Sequence, residues 1–240
     1  MTIVIPVTGT ARCGKTTLMD QLSRLFLRDS DGKYGKVTTI DSSEIAKEFL
    51  ETYMTISPRL KFNKAVKSDR YRQALVDIIK ALDSMDIRSN WITDQIINFA
   101  LDNEDPKKTN VIFVNIREIS VITKIVKDIS INTDDYVKCV TLICNRPTQT
   151  NFVNNESDSA NFIEQANKVL LNYIPVEIPE VRGLGETANI SKDDAAAYDA
   201  YVAGLAVSIL DNVSRESGFV APTPTKHIRK TNVSITKSSK

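Results

Sequence analysis

GTARCGKTT, running from Gly9 to Thr17, follows the apolar run IVIPV and Thr8. The spacing Gly9-x-x-x-x-Gly14-Lys15-Thr16 is that of a phosphate-binding loop. Glycines at both ends let the backbone turn so that the N–H groups of Thr10, Ala11, Arg12 and Cys13 face a bound anion. Lys15 supplies a point charge for the β- and γ-phosphates, and the Thr16 hydroxyl can ligate Mg²⁺. Thr17 continues into the following helix, whose positive N-terminal end would lie under the same phosphates. The flanks fit the requirement. Thr2 to Thr8 read as a short buried strand rich in β-branched residues, and Leu18, Leu22, Leu25 and Phe26 recur at helical spacing. Strand, loop and helix therefore occur in the order a nucleotide-binding loop needs.

Outward from this unit, strands and helices alternate. KVTTID (Lys36–Asp41) reads as a second strand, and SSEIAKEFLETYM as a helix capped by Ser42 or Ser43. After the polar stretch ISPRLKFNKAVKS comes the periodic helix RYRQALVDIIKALDSM, with Leu75, Ile78, Ile79 and Leu82 on its apolar face. NWITDQIINFALDNE predicts another helix, with Ile92, Ile96, Ile97 and Ala100 inward, and EDPKKTN a turn. NVIFVNI (Asn110–Ile116) is an apolar run typical of a central parallel strand, followed by the helix EISVITKIVKDI. YVKCVTLIC (Tyr136–Cys144) predicts one further strand, NFIEQANKVLLN a helix, and VEIPEV a last short strand. SKDDAAAYDAYVAGLAVSIL is a C-terminal helix with Ser191 and Asp194 at capping-box spacing. The expected fold is α/β: a three-layer sandwich around a mostly parallel sheet. Ligands in such folds bind at the carboxyl ends of the strands. Those ends carry Thr8–Gly9, Asp41–Ser42, Asn115–Glu118 and Asn145–Arg146, which together define one mouth.

Composition fits an ordinary globular chain of 240 residues, with 42% hydrophobic and 25% charged side chains. No apolar run approaches the ~20 residues a membrane-spanning helix needs, and three cysteines suit neither a disulfide scaffold nor a zinc site, so a reducing cytosol is the expected setting. Cys13 lies within the loop, where the bland role of a small tolerated residue outweighs a redox role. The net charge of +1 hides an asymmetry: five of the 31 Lys and Arg follow Ser217, leaving 26 against 30 acids before it. Residues 1–216 are expected to form the folded domain, and residues 217–240 a basic disordered tail with at most weak nucleic-acid contact. The single histidine, His227, lies in that tail and is a poor general base.

Phosphoryl transfer asks for positive charge around the transferred group, and arginine's planar fork supplies it in two places at once. Arg117 and Arg146 follow consecutive strands, Arg12 is in the loop, and Arg70 and Arg72 open a helix. GTARCGKTT, RQALVD with Arg72, Leu75 and Asp77, VIFVNIRE ending in Arg117–Glu118, and VTLICNR ending in Arg146 resemble, in that order, landmarks of phage-type (deoxy)nucleoside monophosphate kinases. The resemblance covers roughly residues 1–160, including IDSSEIAKEF after the second strand and NNESDSA after Arg146. It implies a nucleotide substrate and an enzyme of the bacterial or phage-infected cytosol. Lys15 and Thr16 would serve ATP and Mg²⁺, Asp41, Ser42 and Arg72 the second nucleotide, Arg117 the transferred group, and Arg146 a lid over residues 146–160. Beyond residue 160 the chain departs from that pattern. The Ile-Pro step and Ala-rich final helix are nearer in flavour to ParA- or MinD-like ATPases, which bind DNA or a partner protein and dimerise. Those proteins carry an extra loop lysine and an Asp after a central strand, where this chain has none at positions 10–13 and Asn115. Asp41 and Glu118 are the carboxylates nearest, by position, to a Mg²⁺ water shell. A P-loop module that binds nucleotide without transferring phosphate is the third reading, and a homodimer is left open.

Overall fold

A computed structural model of the chain describes residues 1–9, 13–28, 33–56, 69–102, 107–132, 137–145, 172–179 and 192–217. In chain order the elements are β1 (Thr2–Gly9), α1 (Lys15–Arg28), β2 (Tyr34–Asp41), α2 (Glu44–Ile56), α3 (Asp69–Ser84), α4 (Ile87–Leu101), β3 (Thr109–Asn115), α5 (Ile119–Asn132), β4 (Val137–Cys139), β5 (Thr141–Asn145), β6 (Tyr173–Glu177) and α6 (Lys192–Ser217). The strands form one sheet in the order β2-β3-β1-β5-β6, with β4 also on β1, and every pairing is parallel. The chain is an α/β three-layer sandwich.

The sheet is covered on both faces because its central strands are apolar on both. All eight residues of β1 are buried, and six of the seven in β3. Alternation then sorts the side chains. Ile3, Ile5 and Val7, with Val111, Phe113, Leu142 and Cys144, pack against α1 and α6 through Leu18, Leu22, Phe26, Val202 and Ile209. Val4, Ile112, Val114 and Ile143 face the other way, onto Ile92 and Ile96 of α4 and Ile122 and Ile125 of α5. A smaller cluster joins Ile45 and Ala46 of α2 to Leu82 of α3. Of the apolar faces expected on α3 and α4, Leu82, Ile92 and Ile96 are buried, whereas Leu75, Ile78, Ile79, Ile97 and Ala100 are half-buried.

The single strand expected over Tyr136–Cys144 is divided at Val140, although its pairing with β1 keeps one register on both sides. Pro6 is the physical reason. Val140 N–H donates to Val4 O, so the even-numbered residues of β1 turn their peptide groups toward β4 and β5. Pro6 shares that parity and has no N–H, which removes one rung from the ladder. The last strand is Tyr173–Glu177 rather than the expected run from Val176. It contains Pro175, yet loses no rung with β5: Thr141 N–H donates to Asn172 O and Ile178 N–H to Asn145 O, so Pro175 turns its nitrogen away from β5. Helix α4 begins at Ile87, three residues before the expected Asn90, and α6 runs on from Leu210 to Ser217. The helix expected over NFIEQANKVLLN, the Ser191 cap, the segment 146–160 and the tail beyond Ser217 lie outside the described residues. No described helix is long and apolar enough to cross a membrane.

Candidate functional site

Gly9 ends β1 and Gly14 precedes α1, and both have positive φ, 139° and 98°. At Gly9 a side chain is also excluded sterically: a Cβ would lie 2.0 Å from the backbone oxygen of Cys144 on β5. The loop thus leaves the sheet at a point where only glycine fits. At Gly14 space is open, with Ile178 Cγ2 3.6 Å from the position of a Cβ, and the requirement there is conformational. Gly14 O accepts from Leu18 N–H at 3.0 Å, opening the first turn of α1. Thr10, Ala11 and Arg12 lie outside the described residues.

Lys15 is buried, 7% exposed, and its Nζ donates to Gly9 O at 3.0 Å across the loop. Cys13 Sγ is 3.7 Å from the same ammonium. Burial holds the Lys15 pKa below its usual 10.5; Cys13 acts against this, and the like charge of Arg117 works with it. Cys13 is fully buried in the core beneath the loop, so its thiol packs rather than projects. Cys13, Cys139 and Cys144 are not in disulfides, and burial pushes the Cys144 thiol well above its ordinary range. Thr16 is exposed on the first turn of α1, and Thr17 is half-buried behind it.

The crevice beside the loop follows from topology. β1 leads into α1 on one face of the sheet, whereas β3 leads toward α5 on the other. Adjacent strands whose exits diverge leave a cleft at their carboxyl ends. Thr8 Oγ1 donates to Arg117 O at 3.1 Å, and Ile116 N–H donates to Val7 O. These bonds tie the β3 exit to the β1 exit, and the exposed Arg117 acts electrostatically on Lys15. Arg146 follows Asn145 at the end of β5 and lies outside the described residues.

Asp41 and Ser42 occupy the end of β2. Val7 opposes Asn115, which opposes Asp41, placing Asp41 about 9–10 Å from β1 at the usual strand spacing. Its carboxylate is held inward: Oδ1 accepts from Ser43 N–H at 2.9 Å and Ser43 Oγ at 2.8 Å, and Oδ2 pairs with Lys47 at 2.9 Å. Burial works against ionisation of Asp41, but the Ser43 and Lys47 contacts outweigh it and hold the pKa below 3.8. Ser42 is buried and gives its N–H to Asn115 O. Ser43 O accepts from Lys47 N–H, which makes Ser43 rather than Ser42 the cap of α2. Arg72 is in the first turn of α3, with its side chain outside what is described.

Glu118 does not project into the cleft as a free metal ligand. Its Oε2 accepts from Arg88 Nη2 at 2.7 Å, while Arg88 Nε and Nη2 grip both oxygens of Asp83 at 2.6 and 2.5 Å. Arg88 is 1% exposed, a buried cation that sequence reading missed. Burial pushes Asp83 above 3.8; the Arg88 contacts oppose this, and the charges of Glu118 and Asp86 reinforce it. Among the described residues no group of three or more His, Cys, Asp or Glu side chains could hold a metal ion.

No protein-family model matches the chain. No curated protein matches it significantly either.

Proposed function

We propose that the protein binds ATP with Mg²⁺ and passes the γ-phosphate to a nucleoside or deoxynucleoside monophosphate. The observation that carries this reading is the meeting of two cations on one loop mouth: Lys15, buried with a depressed pKa, feels Arg117 as a like charge across the β1–β3 crevice. An anion between them relieves both the desolvation and the repulsion, and a transferring phosphoryl group spreads its charge over equatorial oxygens that two such groups can hold. The positive-φ Gly9 and Gly14 leave the intervening backbone able to aim N–H groups inward. Mg²⁺, when bound, would offset the charge of the phosphates, and the Thr16 hydroxyl would be the group of this chain that holds it. Lys15 holds the phosphates, Thr16 offers a hydroxyl, and Arg117 faces the group in transit. Arg146, next in sequence after the β5 end, is proposed to close over it. Asp41 shapes the start of α2 beside the second-substrate position, two strands from β1.

One observation favours the ATPase reading instead. Ile174 and Pro175 lie in a real sheet strand, β6, and the last described element is the 26-residue α6. A panel of monophosphates, scored for diphosphate formation against bare ATP hydrolysis, separates the two. Transfer to at least one monophosphate, lost in a folded Lys15→Ala variant, is the expected result. Hydrolysis with ATP-dependent dimerisation and no acceptor would favour the ATPase. Unchanged ATP affinity in folded Lys15→Ala would overturn both.

A further inference from the structure

Arg88 is the largest fully buried side chain of the described residues and carries a full charge. A guanidinium taken out of water costs several kcal/mol unless paired with good geometry, and apolar residues would fill the same space at lower cost. Here the fork is used in two directions. Nε and Nη2 grip Asp83 side-on at the end of α3, five residues back across a turn in which Asp86 takes a left-handed φ of 59°. Nη2 also reaches Glu118, thirty residues on, at 2.7 Å. Glu118 O accepts from Ile122 N–H at 3.1 Å, so Glu118 is the capping residue of α5. The residue before it is Arg117, whose own carbonyl is held by Thr8 of β1. Residues 117 and 118 are thus pinned from two sides, by β1 and by Arg88.

We infer that Arg88 is a positioning residue for the phosphate mouth: by holding the Glu118 carboxylate it fixes the β3–α5 turn that presents Arg117 and keeps that carboxylate from neutralising the arginine beside it. Through Asp83 the same guanidinium ties this turn to α3, the helix that carries Arg72. The inference rests on the proposed anion-binding role of Arg117. It differs from a stability role in one respect: its effect on ligand must pass through Arg117.

The test is a double-mutant cycle on MgATP affinity by calorimetry, with Arg88→Met, Arg117→Met and the pair. Arg88→Met is expected to weaken MgATP binding about tenfold in the parent and about not at all in the Arg117→Met background. Equal weakening in both backgrounds, or none in either, overturns the inference. Because Arg88→Met leaves two carboxylates without their cation and can fail to fold, Glu118→Gln serves as the milder variant. Its amide oxygen still accepts from Arg88, and its effect, about threefold, must likewise vanish without Arg117. Amide exchange on the ligand-free protein judges the clamp separately. Exchange at Ile122 should quicken in Glu118→Gln while Leu18 in the loop-to-helix turn stays slow. Unchanged exchange at Ile122 overturns the clamp whatever MgATP does, whereas a parent that exchanges as expected but binds no MgATP overturns the anion role of Arg117 and with it this inference.

Discussion

Replacing Gly9 by alanine should damage the protein far more than the same change at Gly14, although both glycines belong to one loop and both have positive φ. At Gly9 the new methyl would fall 2.0 Å from Cys144 O and 2.9 Å from Cys144 Cβ. Carbon–oxygen contacts settle near 3.3 Å, so the deficit is roughly 1.3 Å. The obstacle is backbone of the neighbouring strand, with no flexible side chain to yield. Relief requires β1 and β5 to part where Gly9 opposes Cys144. Overpacking of this kind costs about 1–3 kcal/mol, and the positive φ adds about 1–3 kcal/mol, for a total of about 2–6 kcal/mol. At Gly14 the methyl would meet Ile178 at 3.6 Å, an ordinary contact, so only the conformational part remains, about 1–3 kcal/mol. Urea unfolding of the two variants and the parent, read at common m, measures the difference directly. A Gly14→Ala midpoint at or below that of Gly9→Ala would refute the steric account of the loop's departure from the sheet.

Three further outcomes are expected. Leu22→Ala empties a fully buried position between α1 and the sheet and should cost about 2–5 kcal/mol by denaturant unfolding. Asp41→Asn should cost about 1 kcal/mol at neutral pH, already discounted for its partial exposure. The folded pKa of Asp41 is depressed, so its contribution is full above 3.8 and fades as pH falls through the lower folded value; parent and variant stabilities should converge there. Lys15 gives a slope of the same sign for a different reason: burial penalises its charged form, its folded pKa lies below 10.5, and ligand-free stability should rise with pH between that depressed value and 10.5. An anion that restores its charge then takes up a proton, and MgATP affinity should fall as pH rises through the same window. Calorimetry in buffers of different ionisation enthalpy detects that uptake.

What the sequence made legible was local. Strand, loop and helix around Gly9–Thr17 could be read because β1 has an apolar, β-branched centre and the leucines of α1 recur at helical spacing over two turns of chain. The misplaced boundaries share a cause in the backbone rather than in hydropathy. The expected last strand begins just after Pro175, but the side of the strand to which a proline nitrogen turns is fixed by pairing, and β6 is an edge among the described strands. Pro6 sits in a central strand, and the rung it removes appears 134 residues later as the break at Val140. Thr10–Arg12 and Arg146, central to the site as read from sequence, lie outside the described residues.

Arg88 shows why a site is harder to read than a fold. In DSMDIRSNW it stands among polar residues, and the expected helix began after it, because an arginine at the edge of a polar turn ordinarily faces water. Its burial depends on Asp83 five residues back and on Glu118 thirty residues ahead. No periodicity links such a trio. Glu118 was legible only as a carboxylate beside the mouth, and by position it suited a metal as well as an ion pair. The structure shows which role it takes: its Oε2 accepts a charge-assisted bond from a buried guanidinium whose other partner is Asp83, so Glu118 is one of two carboxylates that compensate Arg88 in the interior. Glu118 thus serves Arg88 through its carboxylate and the first turn of α5 through its carbonyl, which accepts from Ile122 N–H.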